Sequence, residues 1–132
     1  MRASKVYDPN DAASVKHLIA ETGGGVAGAV DFVGAESSLK FATASLRRGG
    51  KAVVVGLFGG HLEMPIVMFP VRAISILGSM VGTLAEMHEV LTLARSGKLT
   101  EVPVEIRALD AATKSLDDLR QGRIIGRVVL KA

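Results

Sequence analysis

The stretch Ala29-Val30-Asp31-Phe32-Val33-Gly34 is an apolar run that ends on a glycine, and the same design recurs twice downstream. Ala52-Val53-Val54-Val55 leads into Gly56 and Ile74-Ser75-Ile76-Leu77 into Gly78, so the three glycines are spaced 22 residues apart. A parallel strand with its crossover connection occupies about that length. Continuous Val, Ile and Leu runs are typical of strands buried on both faces of a parallel sheet. The pattern predicts an α/β fold with buried strands at about 28–33, 51–57 and 73–79.

The ends of these strands are the expected binding region. Ligands of open parallel sheets bind just beyond the carboxyl ends of the strands. A glycine at such an end has no Cβ, so that a flat ligand can approach the backbone closely. The sequence therefore predicts one side of a nucleotide crevice.

Composition narrows the class of protein. The 132 residues are 48% hydrophobic and only 4% aromatic, which favours a parallel α/β sheet over an all-β sandwich, as one domain or part of a larger one. The net charge of +3 comes from 16 basic and 13 acidic residues scattered along the chain, so we expect no nucleic-acid partner.

Metal, membrane and export functions are not expected either. The chain has no cysteine, and His17, His61 and His88 lack metal-binding spacing, so we expect this chain to bind no zinc or other metal. No apolar stretch reaches the ~18 residues of a membrane span. The polar segment Met1–Lys5 has no signal-peptide core. We expect a cytoplasmic protein.

The segments between the buried strands are mostly helical, with one exception. Pro65 and Pro70 lie between the second and third strands, and two prolines five apart do not suit a regular helix. Residues 62–71 are therefore expected to be extended and partly on a sheet edge. Helices are predicted at about 12–21, from Ser37 or Ser38 to Gly49-Gly50, at 84–96 and at 110–121. Short strands are predicted at Lys5–Asp8, around 104–106 and at 126–130.

A glycine-rich segment, Gly23 to Gly28, matches the dinucleotide pattern G-x-G-x-x-G. That fingerprint requires a strand before it and a helix after it, so that the pyrophosphate meets the helix N-terminus. The order predicted here is reversed. We therefore interpret the segment as the end of a helix.

Two charged residues allow more than one interpretation. Asp31 lies inside the first buried strand, where a carboxylate must be paired. A structural acid bonded to backbone or to a basic neighbour is favoured over a catalytic one. Arg127 begins the last strand, where it is either a surface arginine or a guanidinium that reaches a phosphate across the crevice.

Five segments in this order resemble the medium-chain dehydrogenase/reductase family, which comprises the zinc-type alcohol dehydrogenases and their quinone oxidoreductase relatives. The segments extend over nearly the whole chain: 28–34, 46–56, 76–79, 94–99 and 122–130. The resemblance implies the C-terminal part of a Rossmann-like doubly wound sheet, followed by a terminal helix and strand. Residues 1–132 would form one partial nucleotide-binding domain, without the catalytic domain and its zinc ligands.

The resemblance also implies a set of cofactor-binding residues for NAD or NADP. Backbone groups of Val55, Ser79 and Val81 would hold the nicotinamide carboxamide. Gly56 and Leu57 would approach the nicotinamide ring. The remaining candidates are those implied near the ribose (Phe32, Val33 and Gly34) and the arginine implied at the pyrophosphate (Arg127).

The chain is accordingly interpreted as a cofactor-domain fragment of an alcohol dehydrogenase-like oxidoreductase, inactive alone and with weak or no cofactor binding. The alternative is a non-enzymatic oligomerising or interaction module derived from such an enzyme. A complete flavodoxin-like or response-regulator domain is disfavoured, because a proline-bearing crossover does not suit those helix-linked sheets. We expect a homo-oligomer, most simply a dimer, formed through the edge at 62–71. The unpaired strand at 29–33 offers a second edge.

Overall fold

The computed structural model describes residues 3–132. They form two compact units, an N-terminal unit that ends at Gly82 and a C-terminal unit that begins at Thr83. Both contain helices and parallel strands, as the α/β prediction requires. Whether residues 1–132 act as one nucleotide-binding domain stays a prediction.

The N-terminal unit is a three-stranded parallel sheet with helical connections. Its strands pair in the order β1-β2-β3, with Ala29 opposite Ala52 and Val53 opposite Leu77. The apolar runs predicted from the sequence thus become neighbouring strands. The elements are α1 (Ser14–Glu21), β1 (Val26–Asp31), α2 (Glu36–Ser45), β2 (Leu46–Val54), α3 (Met68–Arg72) and β3 (Ser75–Gly78).

The core of this unit lies around the central strand. Leu46, Ala52 and Ile74 are buried together, and Ala29 and Leu39 pack against them. Burial of Leu46 explains why the second helix ends at Ser45 and the strand begins at once, where we had predicted helix up to Gly49-Gly50. The pairing of β1 with β2 jumps from Leu46 to Lys51, so the extra residues belong to β2.

The prediction of an extended segment at 62–71 is wrong, because Met68–Arg72 form α3. Pro70 is the third residue of this helix, where its missing N–H needs no intrahelical partner. The carbonyl of Pro65 accepts a hydrogen bond from Met68 N at 3.0 Å. The guanidinium of Arg72 then donates to the carbonyls of residues 43, 44 and 46, which ties α3 to the end of α2.

The predicted strand at Lys5–Asp8 is also absent from the structure. Lys5 and Tyr7 both place their polar atoms on the carboxylate of Glu21 in α1, with Tyr7 Oη 2.6 Å from Glu21 Oε2. The segment therefore lies against α1 through side-chain contacts.

The C-terminal unit contains a long helix and one β-α-β motif. The helix, α4 (Leu84–Arg95), begins at a capping box, in which Thr83 Oγ1 accepts from Glu86 N and Glu86 Oε2 accepts from Thr83 N. The sequence predicted a short strand in each of two regions, and these are β4 (Val104–Ala108) and β5 (Arg127–Lys131), which pair in parallel. A 3₁₀ turn (Leu109–Ala111) and α5 (Ala112–Arg120) connect them.

Within residues 3–132, no helix is both long and apolar enough to cross a bilayer.

A buried carboxylate holds the β-α-β motif together. Asp118 on α5 is only 4% exposed. Its oxygens accept from Arg107 on β4 at 2.8 Å, from Lys114 at 3.0 Å and from Arg123 at 2.5 Å. The hydrogen bonds from Arg123, Lys114 and Arg107 hold the pKa of Asp118 far below its ordinary value. The network joins β4, α5 and the connection from α5 to β5.

We predict that Asp118→Asn lowers the stability of the chain at neutral pH, because three cations then lose their shared carboxylate. A depressed pKa contributes stability that is present above the unfolded value of about 3.9 and is lost as the pH falls towards the folded value. The difference in the free energy of unfolding between wild type and Asp118→Asn should therefore decrease below about pH 4. Urea unfolding at several pH values measures the gap, with Asp117→Asn, on the exposed side of α5, as the matched control. A gap that stays constant down to pH 2 would contradict this assignment.

Candidate functional site

The three strand ends of the N-terminal unit meet at one edge of the sheet, because the strands are parallel and adjacent. Val55 N donates to the carbonyl of Asp31 at 2.9 Å, and Ser79 N donates to that of Val54 at 2.9 Å. The structure thereby brings the segments after β1, β2 and β3 together. These segments contain the candidates Phe32, Val33, Gly34, Val55, Gly56, Leu57, Ser79 and Val81.

Arg127, the remaining candidate, belongs to the C-terminal unit. It is the first residue of β5, its side chain is exposed, and one guanidinium nitrogen donates to the carbonyl of Gly126 at 3.2 Å. Its role at a pyrophosphate stays a prediction.

Two of the glycines at the strand ends, Gly34 and Gly56, lie where two backbone segments contact each other and leave no space for a Cβ. A Cβ on Gly34 would lie 2.0 Å from the carbonyl oxygen of Gly56, and a Cβ on Gly56 would lie 2.1 Å from the carbonyl carbon of Val33. Gly34 also has a positive φ of 69°. Here the space that a Cβ would fill is taken by the chain itself. At Gly78 that space is open, with no atom within 4 Å, so close approach of a ligand is sterically allowed there.

Two further hydrogen bonds join the chain segments that contain Gly34 and Gly56. Phe58 N donates to the carbonyl of Val33 at 3.1 Å, and Gly59 N donates to that of Gly34 at 3.0 Å. The segment after β2 thus continues to pair with the segment after β1 beyond the last residue of either strand.

Asp31 is the buried acid that shapes the turn after β1. Its Oδ1 accepts from Val33 N at 2.9 Å and from Gly34 N at 3.0 Å, while Oδ2 accepts from Ser38 Oγ at 2.9 Å. Burial alone would raise the pKa of Asp31, but the bonds from Gly34, Ser38 and Val33 together outweigh it and lower the pKa. The interpretation of Asp31 as a structural acid is confirmed.

The segments after β2 and β3 present unused backbone groups. Among residues 3–132, no backbone hydrogen bond involves the carbonyl oxygens of Val55 and Ser79 or the N–H of Val81. Val81 is 84% exposed and has a φ of 36°, a left-handed conformation that is strained for a β-branched side chain. Two acceptors and one donor therefore remain available to a ligand amide at this edge.

Two clefts adjoin the strand ends. One, of about 280 Å³, is lined by Gly34, Gly56 and Leu57 and by Leu39 of α2. The other, of about 550 Å³, is lined by residues of β1, α1 and α2 and is hereafter the β1 groove. Phe32 and Val33 line the β1 groove, so the candidate residues are divided between the two clefts. Other residues of the β1 groove include Tyr7, Leu18, Val26, Val30 and Phe41.

The glycine-rich segment at 23–28 is not a dinucleotide fingerprint, as predicted, because α1 precedes it and β1 follows it. Gly24 N donates to the carbonyl of Ile19 at 2.9 Å, which ends α1. A Cβ on Gly25 would lie 2.6 Å from the carbonyl oxygen of Ser45, so this glycine is required by packing.

The described part of the chain does not fit a metal site, since it holds no group of three or more His, Cys, Asp or Glu side chains placed to bind an ion.

Comparison with known proteins identifies relatives for most of the chain. A family profile described as zinc-binding dehydrogenase matches residues 1–96. An alcohol dehydrogenase of Geobacillus stearothermophilus is 36% identical over 86% of this chain and 33% of its own length. An NAD-dependent alcohol dehydrogenase of Sulfolobus acidocaldarius is 33% identical over 83% of this chain and 32% of its own length.

A solved structure supports the same relationship. The alcohol dehydrogenase of Aeropyrum pernix superposes with a TM-score of 0.80 at 38% identity, over 89% of this chain and 34% of that one. The chain thus spans about a third of the length of the relatives that it matches.

Sequence reasoning missed the glycine contact and the bond from Ser38 to Asp31. One signal for the contact was present, because Gly34 and Gly56 end two consecutive apolar runs. Parallel neighbours place such ends side by side. The Ser38 bond had no comparable signal, since many serines begin helices without contacting a distant acid.

We predict that Gly34→Ala and Gly56→Ala each destabilise the N-terminal unit. Overpacking against fixed backbone costs about 1–3 kcal/mol, and the left-handed conformation at Gly34 adds about 1–2 kcal/mol for alanine. Gly78→Ala is the matched control and should change the free energy of unfolding by no more than about 0.5 kcal/mol. Urea unfolding monitored by circular dichroism provides all three values. Equal effects at the three glycines would contradict the glycine contact.

Proposed function

Because the chain belongs to the zinc-binding dehydrogenase family, we propose that it supplies the nicotinamide-facing half of an NAD(P) crevice in an alcohol dehydrogenase-like oxidoreductase. The observation that carries this proposal is the meeting of the three strand ends, where unused backbone groups lie near one open glycine position. Ligands of open parallel sheets bind at this edge.

In this proposal, backbone groups orient the cofactor. The carbonyls of Val55 and Ser79 and the N–H of Val81 hold the carboxamide, whose amide group offers both donors and an acceptor. Gly56 and Leu57 face the nicotinamide ring, and Phe32, Val33 and Gly34 adjoin the ribose. The nicotinamide, when bound, supplies or accepts the hydride, and the protein contributes position and electrostatics.

The 132 residues are proposed to be inactive by themselves. Hydride transfer requires a substrate held against the cofactor in a reactive geometry. The residues assigned here hold one half of the cofactor, and none is placed to activate an alcohol. The cofactor is NAD or NADP, and a relative named as NAD-dependent supports the first.

We predict that NAD binds to the isolated chain with a dissociation constant in the millimolar range or binds too weakly to be detected. Each hydrogen bond contributes only about 0.5–1.5 kcal/mol, and a half-crevice provides few of them. An NMR titration should shift amide signals at 33–35, 55–58 and 78–82. Gly78→Val, which fills the open position, should abolish the shifts at 78–82. Micromolar binding, or shifts confined to 23–28, would contradict the proposed site.

The alternative function, a non-enzymatic interaction module, is favoured by one observation: the large apolar side chains of Leu57, Phe58 and Ile66 are each more than 80% exposed. An assay of catalytic turnover tests whether the isolated chain is itself an enzyme. The isolated chain should not reduce NAD or NADP in the presence of primary and secondary alcohols. Reduction that is lost in Arg127→Ala would show that the chain is itself an enzyme.

A further inference from the structure

We propose that Ser38 is a positioning residue for the cofactor, because its hydroxyl holds the Asp31 carboxylate that shapes the turn at 32–34. This inference rests on the proposed function, in which that turn adjoins the ribose. Ser38 is the third residue of α2, and Asp31 is the last residue of β1. The hydrogen bonds that support the inference join residues of this chain and are already made without a ligand.

The Ser38 hydroxyl has three polar neighbours. Its oxygen lies 2.9 Å from Asp31 Oδ2, 3.0 Å from the carbonyl oxygen of Ala35 and 3.1 Å from Ala35 N. A hydroxyl has one proton to donate and can accept hydrogen bonds as well. The carbonyl of Ala35 already accepts from Leu39 N at 3.0 Å. A bond to an ionised carboxylate is about twice as strong as a neutral one, so the Ser38 proton is assigned to Asp31.

The carboxylate of Asp31 divides its two oxygens between the turn and the helix. Oδ1 accepts from Val33 N at 2.9 Å and from Gly34 N at 3.0 Å, while Oδ2 accepts from Ser38. Asp31 is only 5% exposed, and a buried ionised group is costly unless hydrogen bonds stabilise its charge. The bond from Ser38 on one oxygen therefore fixes the rotation of the carboxylate, which keeps the other oxygen on the turn.

The turn at 32–34 depends on this orientation of the carboxylate. Val33 N and Gly34 N share one oxygen, and Gly34 has its φ of 69° where its backbone contacts that of Gly56. If the carboxylate rotates, the two backbone groups lose their common acceptor. Small displacements of positioning groups weaken the alignment of a bound ligand. Ser38 should therefore influence ligand contacts at the turn by acting through Asp31.

A simpler role for Ser38 is to cap α2. Its oxygen accepts from Ala35 N, the residue before the helix, so Ser38→Ala should loosen the start of α2 even if Asp31 is unaffected. The two roles predict different measurements. Loss of a cap affects the amides at the start of α2, whereas loss of a positioning residue also affects the Asp31 carboxylate and the amides of Val33 and Gly34.

NMR measurements on three variants of the full chain test the proposal. Burial raises the pKa of Asp31, and its hydrogen bonds, including the one from Ser38, lower it. Ser38→Ala should therefore raise the pKa of Asp31, as measured by a pH titration of its carboxyl carbon. Hydrogen exchange at Val33 and Gly34 should accelerate about tenfold or more. Ser38→Thr, which keeps the hydroxyl, and Ser37→Ala, the matched control at the exposed neighbouring serine, should retain the wild-type values.

An unchanged pKa of Asp31 in Ser38→Ala, or faster exchange confined to the start of α2, would overturn the proposal in favour of a helix cap. The proposal would also be overturned if Ser38→Thr behaved like Ser38→Ala. Ser38→Cys serves as a second variant if Ser38→Ala folds poorly, because a thiol is similar in size and only a weak donor. It should raise the pKa of Asp31 as well, and an unchanged pKa would again exclude the proposed role.

A titration with NAD extends the test to the ligand and separates this proposal from the proposed function. When the wild type shows NAD-induced shifts at 33–35 and 78–82, Ser38→Ala should lose those at 33–35 and keep those at 78–82. Loss of both sets, or of neither, would contradict a positioning role at the turn. If NAD binds too weakly to produce shifts, the measurements without ligand still decide whether Ser38 holds the turn, so the two proposals fail separately.

Discussion

The contact between the backbones of Gly34 and Gly56 is the constraint on which the N-terminal unit depends. Two chain segments pass so closely that neither position tolerates a Cβ. Asp31 holds one side of the contact, because its carboxylate accepts hydrogen bonds from Val33 N and Gly34 N. The other side is held by hydrogen bonds from Phe58 and Gly59. The ends of β1 and β2 are thereby locked together.

The contact between Gly34 and Gly56 also determines which strand end of the candidate site is open to a ligand. The backbones of Gly34 and Gly56 contact each other, so the glycine with open space beside it is Gly78, at the end of β3. Unused backbone groups of Val55, Ser79 and Val81 lie in the same region. In the proposed function, a rigid pair of strand ends supports a third end that contacts the ligand. Rigid support of this kind is what a site needs in order to position a cofactor.

The strands could be predicted from the sequence because each one contains an apolar run that leads to a glycine, which is a local signal. Val53 and Val54 lie in a continuous apolar run, and that run is a central strand. The start of β2 at Leu46 could not be predicted, because Leu46 fits the helical repeat of α2 equally well. Its burial in the core depends on the tertiary fold. Residues 62–71 were misassigned because Pro70 was treated as a residue of a helix interior. It lies in the first turn, where proline is tolerated. At the site, Asp31 was assigned correctly from its apolar neighbours, whereas its contact with Ser38 depends on the tertiary fold.

The most direct test of the account is native-state hydrogen exchange in Asp31→Ala, compared with wild type. If Asp31 supports the whole glycine contact, the amides of Val33 and Gly34 should lose protection together with those of Gly56, Phe58 and Gly59. The amides of β4 in the other unit provide the internal reference and should not change. Loss of protection at Val33 and Gly34 alone would contradict the claim that this contact organises the strand ends.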